Sequence, residues 1–457
     1  MTMTQSPVPT SKPGEQTTKK RQLNLGQTIS LIAVAIGGLT LMVGVAGGGD
    51  AYPLLFLLSA FGLIAAGGLG HAAATFLTRP PGIRNEYTMS QGLTRRGTIA
   101  ILIAIVFVTF YIVYYWFDSA LTNLNAMMNP LSQMLRRKNA SIYFTYAALY
   151  TFAILVMGAR AFMKYRHSGY HQIRTTVNMG AQLIAAFLIP AFLVAINEPE
   201  KYVNYFWPLS QKDLFPSTVD YMLSEEFKLG GFLLFWSAGL SFIGVPVLTY
   251  FFGKRWYCSW VCGCGALANT MGDQWRHLSD KRLGAWKFER FSIYSVLLLI
   301  AGITAMLWIH ELTGGALTES LSTGAKHWYG ILIMSVWAGA VGTGFYPILG
   351  TRIWCRFGCP LAAMLGILQK FFSRFRITTN GSQCMSCGNC SAYCEMGINV
   401  KWYAQRGQNI IRASCVGCGM CAAVCPRGVL SLENGPRNNR YRGTIDLARP
   451  TKGRQAP

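Results

Sequence analysis

Cysteine is missing from the first 257 residues; all thirteen lie at or after Cys258. Charge is scarce as well: Asp, Glu, Lys and Arg make up 13% of 457 residues, against 52% hydrophobic ones. Acidic residues are the scarcer sign, 18 against 41 basic, for a formal net charge of +23. Few charges and a mean hydropathy of +0.30 exclude an ordinary soluble domain. The cysteine distribution argues against a disulfide scaffold and for a reducing compartment around the thiols. No Walker-type loop, nicotinamide fingerprint or C-x-x-C-H haem attachment is present. Histidines are also few. His71 and His310 stand alone and read as hydrogen-bonded helix-end residues. His167 and His171 sit among Lys164, Arg166 and Arg174 and read as part of a solvated basic loop, since a metal site would need a third ligand.

What the chain has is long apolar runs. Eight, near 29–47, 53–77, 98–117, 142–163, 179–197, 230–252, 291–310 and 328–349, can each span a hydrocarbon core of ~30 Å. Pro190, Pro246 and Pro347 fall within them, as membrane helices tolerate. The glycines of the first two runs read as close helix packing. The fold expected is an all-α polytopic membrane protein of about eight transmembrane helices with a small C-terminal two-cluster ferredoxin-like domain. Its parts are a polar tail (1–27), two membrane regions (28–200 and 201–372), the ferredoxin domain (373–433) and a basic, disordered tail (434–457). The first run reads as an uncleaved anchor.

Loop charges orient the chain. Lys12, Lys19, Lys20 and Arg21 precede the first run; Arg79, Arg84, Arg95 and Arg96 follow the second. Lys164, Arg166 and Arg174 follow the fourth, and Lys254, Arg255, Arg276, Lys281, Arg282, Lys287 and Arg290 the sixth. The alternate loops are neutral or acidic, including 198–227 with its six Asp and Glu residues. Only 118–141, with Arg136, Arg137 and Lys138, dissents, and its long side chains can snorkel. Both termini and the ferredoxin domain are thus expected on the cytoplasmic side of a bacterial inner membrane. Tyr202, Tyr205, Phe206, Trp207, Phe215 and Tyr221 in the outer loop 198–227 read as an interfacial belt in preference to a quinone pocket.

The most informative stretch runs from Cys384 to Pro426. It holds C-x2-C-x2-C-x3-C twice, the second copy followed by proline. This is the bacterial two-cluster ferredoxin pattern, in which the fourth cysteine of each run serves the other cluster. Cys384, Cys387, Cys390 and Cys425 are expected to hold one [4Fe–4S] cluster, and Cys415, Cys418, Cys421 and Cys394 the other. Zinc ribbons use two separated pairs and fit less well. Residues 360–457 carry thirteen Lys or Arg against three Asp or Glu. That excess suits an acidic redox partner or anionic membrane lipid, and equally the inside bias itself; no nucleic-acid fold is visible.

A second cysteine set lies in two similar segments, GKRWYCSWVCGCGAL (253–267) and GTRIWCRFGCPLAAM (350–364), both G-x-R-x-[WY]-C-x3-C. Residues four apart share a helix face. Cys258 with Cys262, and Cys355 with Cys359, can therefore present thiols in one direction at the cytoplasmic ends of two spans. Together they can form a third metal centre or a redox-active thiol pair. Arg255 and Arg352, three residues before each pair, are placed to lower the thiol pKa values. Cys264 has no counterpart and no assigned role.

Paired C-x3-C motifs at span ends, followed by a two-cluster domain, resemble the NapH/NosR-type membrane polyferredoxins. The resemblance rests on Cys258/Cys262, Cys355/Cys359/Pro360 and the eight cysteines from Cys384 to Cys425, and covers about residues 230–430. It implies electron transfer between a membrane quinone or quinol and a redox protein or complex subunit. It also allows a maturation or regulatory role supplying electrons to a client metalloenzyme, and thiolates at the span ends would bind soft metals. Gly263 stands where that family usually has proline, and the first five spans have no counterpart in its short members. The expected activity is electron transfer, as a subunit of a quinol-linked oxidoreductase, through two [4Fe–4S] clusters.

Overall fold

A computed structural model of the chain describes residues 24–48, 52–78, 94–314 and 316–435. The expected tails lie almost wholly outside them. Among the described residues seven helices are long and apolar enough to cross a membrane: α1 Leu25–Gly48, α2 Pro53–Phe76, α3 Thr98–Trp116, α4 Ile142–Lys164, α5 Gly169–Ala195, α6 Gly230–Phe252 and α7 Leu283–Thr313. The eighth expected run falls in Ala316–Trp328 continuing as Tyr329–Val341 (α8), two stretches of 13 residues with a polar beginning. At 1.5 Å per residue it reaches ~39 Å. It returns the chain to the face that α7 left: the Ser279 hydroxyl donates to the Thr351 carbonyl (3.3 Å), and Arg356 pairs with Glu289 near the start of α7 (2.7 Å).

Alternate helix ends share that face. Gln27 at the start of α1 donates to Thr75 at the end of α2 (3.0 Å). Arg96, ahead of α3, donates to the carbonyls of Leu278 and Ile348 (2.8 Å each). Arg160 near the end of α4 lies over Phe76. On the opposite face Glu198 accepts from the backbone N–H groups of Lys228 and Leu229 (3.1 Å each). The dissenting loop resolves here. Residues Thr122–Arg136 form a helix, and Arg136 does not snorkel: it is buried, paired with Glu200 at 3.3 Å and placed over Phe144. Its charge is neutralised within the protein.

Proline shapes two spans. The widened turns Ala181–Leu188 and Leu240–Gly244 lie just before Pro190 and Pro246, because proline has no N–H for the ladder and the preceding turn loosens to accommodate it. The apolar window of α5 is 44% buried against 17% in α1, which makes α5 a central helix. Its polar first half is no solvated loop. His171 and Arg174 are each 1% exposed, and the Tyr170 hydroxyl donates to the Gly417 carbonyl (2.7 Å).

The outer loop is not an interfacial belt. It dives into the bundle, burying Phe206 and Phe215. The Tyr257 hydroxyl donates to the Asn204 carbonyl (2.9 Å), and the Trp207 indole donates to Thr304 on α7 (3.2 Å). Tyr221 remains exposed.

The C-terminal domain is a 4Fe–4S ferredoxin domain built on one hairpin-like pair. Strand β1 (Phe375–Thr379) runs antiparallel to β2 (Leu430–Asn434), with Phe375 opposite Asn434 and Thr379 opposite Leu430. Both cysteine runs lie between the strands, each closed by a short helix, Asn389–Ala392 and Met420–Ala423. The domain shares a continuous apolar core with the membrane region through Phe375, Ile377, Leu361 and Val245.

Candidate functional site

The two C-terminal runs are near-copies in backbone as well as spacing. In each, the residues flanking the second cysteine adopt positive φ: Ser386 (58°) and Gly388 (80°) in the first, Gly417 (61°) and Gly419 (80°) in the second. This curls the N–H groups inward around the thiols. A Cβ at Gly419 would lie 2.7 Å from the Tyr170 ring, so glycine is required there both for φ and for docking onto α5. Three residues after each fourth cysteine φ is again positive, at Gly397 and Gly428. The next N–H donates to that cysteine's sulfur: Ile398 to Cys394 and Val429 to Cys425, both at 3.4 Å.

The structure brings the eight cysteines together in two groups. Cys384, Cys387, Cys390 and Cys425 line one small pocket; Cys394, Cys415, Cys418 and Cys421 line another. The first group is the outer one, since Cys387 is exposed, with Met385 and Trp402 beside it. The second is the inner, packed on α5. Burial pushes Cys390 and Cys415 up to about 11 and Cys394 to about 12. Buried thiols this reluctant to ionise need a cationic core to hold them as thiolates.

The other set is also gathered, though not as its spacing implied. Neither C-x3-C pair lies on a single helix. Cys258 sits in the short helical turn Trp256–Val261, and Cys262 caps the next helix, Gly263–Asn269, in extended conformation. Cys355 and Cys359 repeat this, Cys359 capping Pro360–Phe371. The first motif does not rest at the end of its span but folds back into the bundle. Gln182 of α5 donates to the Val261 carbonyl (2.8 Å). A Cβ on Gly263 would lie 2.3 Å from the Tyr205 hydroxyl and 2.9 Å from that of Tyr150, which is why proline has no room there. Tyr150 lies fourteen residues before the end of α4, about 21 Å along the axis. Cys264, without a role in the sequence, lies close to both Cys262 and Cys355. Among the described residues no three Cys, His, Asp or Glu side chains converge tightly enough for a single metal ion.

The two arginines of the repeat part ways. Arg352, at φ 67°, turns inward, and its guanidinium donates to the Cys258 carbonyl (2.6 Å) and to Asn269 (3.1 Å). Arg255 instead lies over the Phe375 ring. Its expected place beside the thiols is taken by Lys254, 1% exposed, whose ammonium donates to the Ala413 carbonyl (3.2 Å).

Arg352 also joins the two thiol regions. It pairs at 3.2 Å with Glu395, which follows Cys394 directly and is fully buried; Arg276 pairs with the same carboxylate at 3.0 Å and with Asp273 at 3.0 Å. Lys164 completes the chain on Asp273. Burial opposes ionisation of Asp273 and Glu395, but the surrounding Lys164, Arg276 and Arg352 outweigh it and hold both below the usual carboxylate range. Arg174 donates to the Cys418 carbonyl at 2.5 Å. Arg174, Lys254, Arg276 and Arg352 are each 1% exposed, and among the described residues the carboxylates in their ion pairs are two, Asp273 and Glu395. Unbalanced charge inside a protein is costly. Four thiolates around a dicationic iron–sulfur cube carry net negative charge, so such groups fit the residues present and would supply the missing balance.

Sequence reasoning missed Lys254, Glu395 and Arg276. Glu395 carried a usable signal, being one of three acids in a strongly basic region. Lys254 and Arg276 carried none, since each sits in a run of basic residues where a solvated charge is the default.

Comparison with known families agrees with this geometry. A family described as "4Fe-4S binding domain" matches residues 234–285 and 329–378, the two C-x3-C segments with their preceding spans. One described as "4Fe-4S dicluster domain" matches 383–430. Among curated proteins the chain is similar to "Putative electron transport protein YccM" of Escherichia coli (strain K12), 25% identical over 172 residues, or 35% of this chain. The match spans 46% of that relative, less than half its length. No solved structure matches the chain. The class defined is an iron–sulfur protein with a multi-pass membrane region.

Proposed function

We propose that this chain passes electrons between the membrane quinone pool and a redox partner on the ferredoxin side, taken as the cytoplasm. The observation that carries the reading is the buried Arg352–Glu395 contact, which places the thiols inside the bundle against the inner group of the ferredoxin domain. Cys384, Cys387, Cys390 and Cys425 would hold the outer [4Fe–4S] cluster and Cys394, Cys415, Cys418 and Cys421 the inner. Cys258, Cys262, Cys355 and Cys359 would hold a third, with Cys264 close at its side. When bound, such clusters supply one-electron acceptors.

The chain's own residues do the rest. Arg174, Lys254, Arg276 and Arg352 provide fixed positive charge, which favours the reduced, more negative state and so raises the potentials toward those a quinol can reach. The outer group meets solvent at Cys387, beside Lys401 and Arg427 in its cavity wall and Arg406 stacked on Trp402. An acidic redox protein or complex subunit fits that surface. The similarity to an electron transport protein supports the same reading. The alternative is a maturation or regulatory factor supplying electrons to a client metalloenzyme; an under-metallated client on loss of this chain would favour it.

The test is an EPR-monitored redox titration of anaerobically purified protein in native lipid. Two cluster signals are expected from the C-terminal cysteines, and a third that disappears in Cys355→Ala. Potentials far below the quinone couple would overturn the quinol reading, and well-folded protein without any iron–sulfur signal would overturn the whole.

A further inference from the structure

A cavity of about 330 Å³ lies between the first turns of α7, Cys355 and the loop ahead of Cys415. It falls in the size range of small-ligand sites. Its lining includes Cys355 from the bundle thiols, and Met396 and Ser414, which flank the inner cysteines Cys394 and Cys415. It therefore sits between the two thiol regions and borders both. The α7 residues in its wall, from Trp286 to Tyr294, cover about 12 Å of helix. Exposed apolar side chains run along α7 through this stretch, from Leu283 past Phe288 and Phe291 to Leu298. The cavity is thus at the level where a membrane amphiphile carries its head.

We infer that this cavity binds the ring of a membrane quinone. The inference rests on the electron-transfer reading above and gives its membrane carrier a place. The walls combine flat apolar groups, Trp286, Ile293 and Tyr294, with cations. Lys254, Arg290, Lys370 and Arg412 line it without a carboxylate partner among the described residues; the one carboxylate in the wall, Glu289, is taken by Arg356. Unpaired positive charge beside an aromatic wall suits a ring whose oxygens gain negative charge on reduction. A phospholipid phosphate suits it less. Phosphate favours free guanidinium forks, and here Arg290 and Arg412 lie over the Trp286 ring while Arg356 is held by Glu289 and the Asp280 carbonyl.

The test uses the full-length holoprotein in native-lipid nanodiscs, photolabelled with an azido-naphthoquinone and mapped by peptide mass spectrometry. Label is expected on 286–294 or 411–414, at least fivefold lower when Ile411→Trp fills the cavity or when Arg290→Glu and Lys370→Glu reverse its exposed mouth. The iron–sulfur absorbance reports that each variant is intact; the exposed double variant keeps the test open where Ile411→Trp does not fold. Label on the aromatic outer segment 202–215, or label unchanged in the charge-reversed protein, overturns the placement and leaves the proposed function standing. Displacement of label by phosphatidylglycerol but not by unmodified quinone makes this a lipid site and also overturns it. No label anywhere, together with no reduction of the protein by a soluble naphthoquinol, overturns the quinone reading itself.

Discussion

The two thiol regions of this protein are assembled in opposite ways. In the ferredoxin domain each group draws on two runs of eleven residues, and the backbone curl needed to aim the thiols is written locally, in positive-φ residues at matching places. In the bundle the group joins Cys262 and Cys264 to Cys355, some ninety positions apart, and no local rule dictates the meeting. The first region is a portable cradle. The second exists only because the outer loop, α4, α5 and the ferredoxin domain close around it. The difference extends to charge. The cations that serve the inner cysteines and the bundle thiols are largely the same ones, because Arg352 and Arg276 share Glu395.

Breaking that sharing is expected to have the largest effect. Glu395→Ala leaves the buried Arg352 without its carboxylate and Arg276 with Asp273 alone, and should cost about 3–5 kcal/mol, read as lowered thermal stability of the purified protein. Glu395→Gln keeps the shape and sharpens the comparison: signals of the inner cluster and the bundle site should both shift to higher potential, while that of the outer cluster stays. A shift confined to one would show the regions to be electrostatically separate.

Gly263→Ala should follow, at about 1–3 kcal/mol, because its methyl would meet the Tyr205 hydroxyl at 2.3 Å. Gly388→Ala in the ferredoxin domain has open space and only its φ of 80° to strain, so about 1 kcal/mol is expected. Denaturant or thermal unfolding that ranks them the other way would mean the bundle site is the looser of the two.

The pair of repeat arginines separates the regions again. Arg352→Ala removes the link to Cys258 and Glu395 and should abolish the bundle-site EPR signal. Arg255→Ala, which loses its stacking on Phe375 and a hydrogen bond to the Phe252 carbonyl, should change stability by about 0.5–1 kcal/mol and leave all signals in place.

The smallest effect concerns acid. Asp273 and Glu395 are depressed in the folded protein, so their stabilisation is complete above the unfolded carboxylate values near 4 and is lost only as pH falls below them. Docking of the ferredoxin domain should therefore survive at pH 5, measured by protease resistance of the segment between Phe372 and Phe375. Release of the domain at pH 5 to 6 would mean that other groups hold the interface.

Much of this was readable in the chain. The spans followed from apolar length, and the strongly patterned cysteine runs implied ferredoxin geometry. The basic loops marked one face, and among the described residues Arg96, Lys164 and Arg276 lie on it together. Three readings failed for one shared reason. Arg136, the polar start of α5 and the aromatic outer segment all looked solvent- or interface-bound because polar or aromatic composition near a span end is usually so. Each is buried or partly buried where a partner distant in sequence satisfies it: Glu200 for Arg136, Gly417 and Cys418 for Tyr170 and Arg174, Tyr257 and Thr304 for Asn204 and Trp207.

The sequence by itself determined what each stretch is able to be. Apolar length selects a membrane helix because an unpaired backbone cannot remain in lipid, and cysteine spacing selects a polythiolate cradle because three thiols close together on one loop can wrap one face of a cube. Tertiary structure alone decided which stretches meet. It chose Lys254 over Arg255, brought Cys264 to Cys355 and set Glu395 between two arginines. Those choices depend on how much charge a shared interior can balance, and that sum is taken over contacts a linear pattern does not contain.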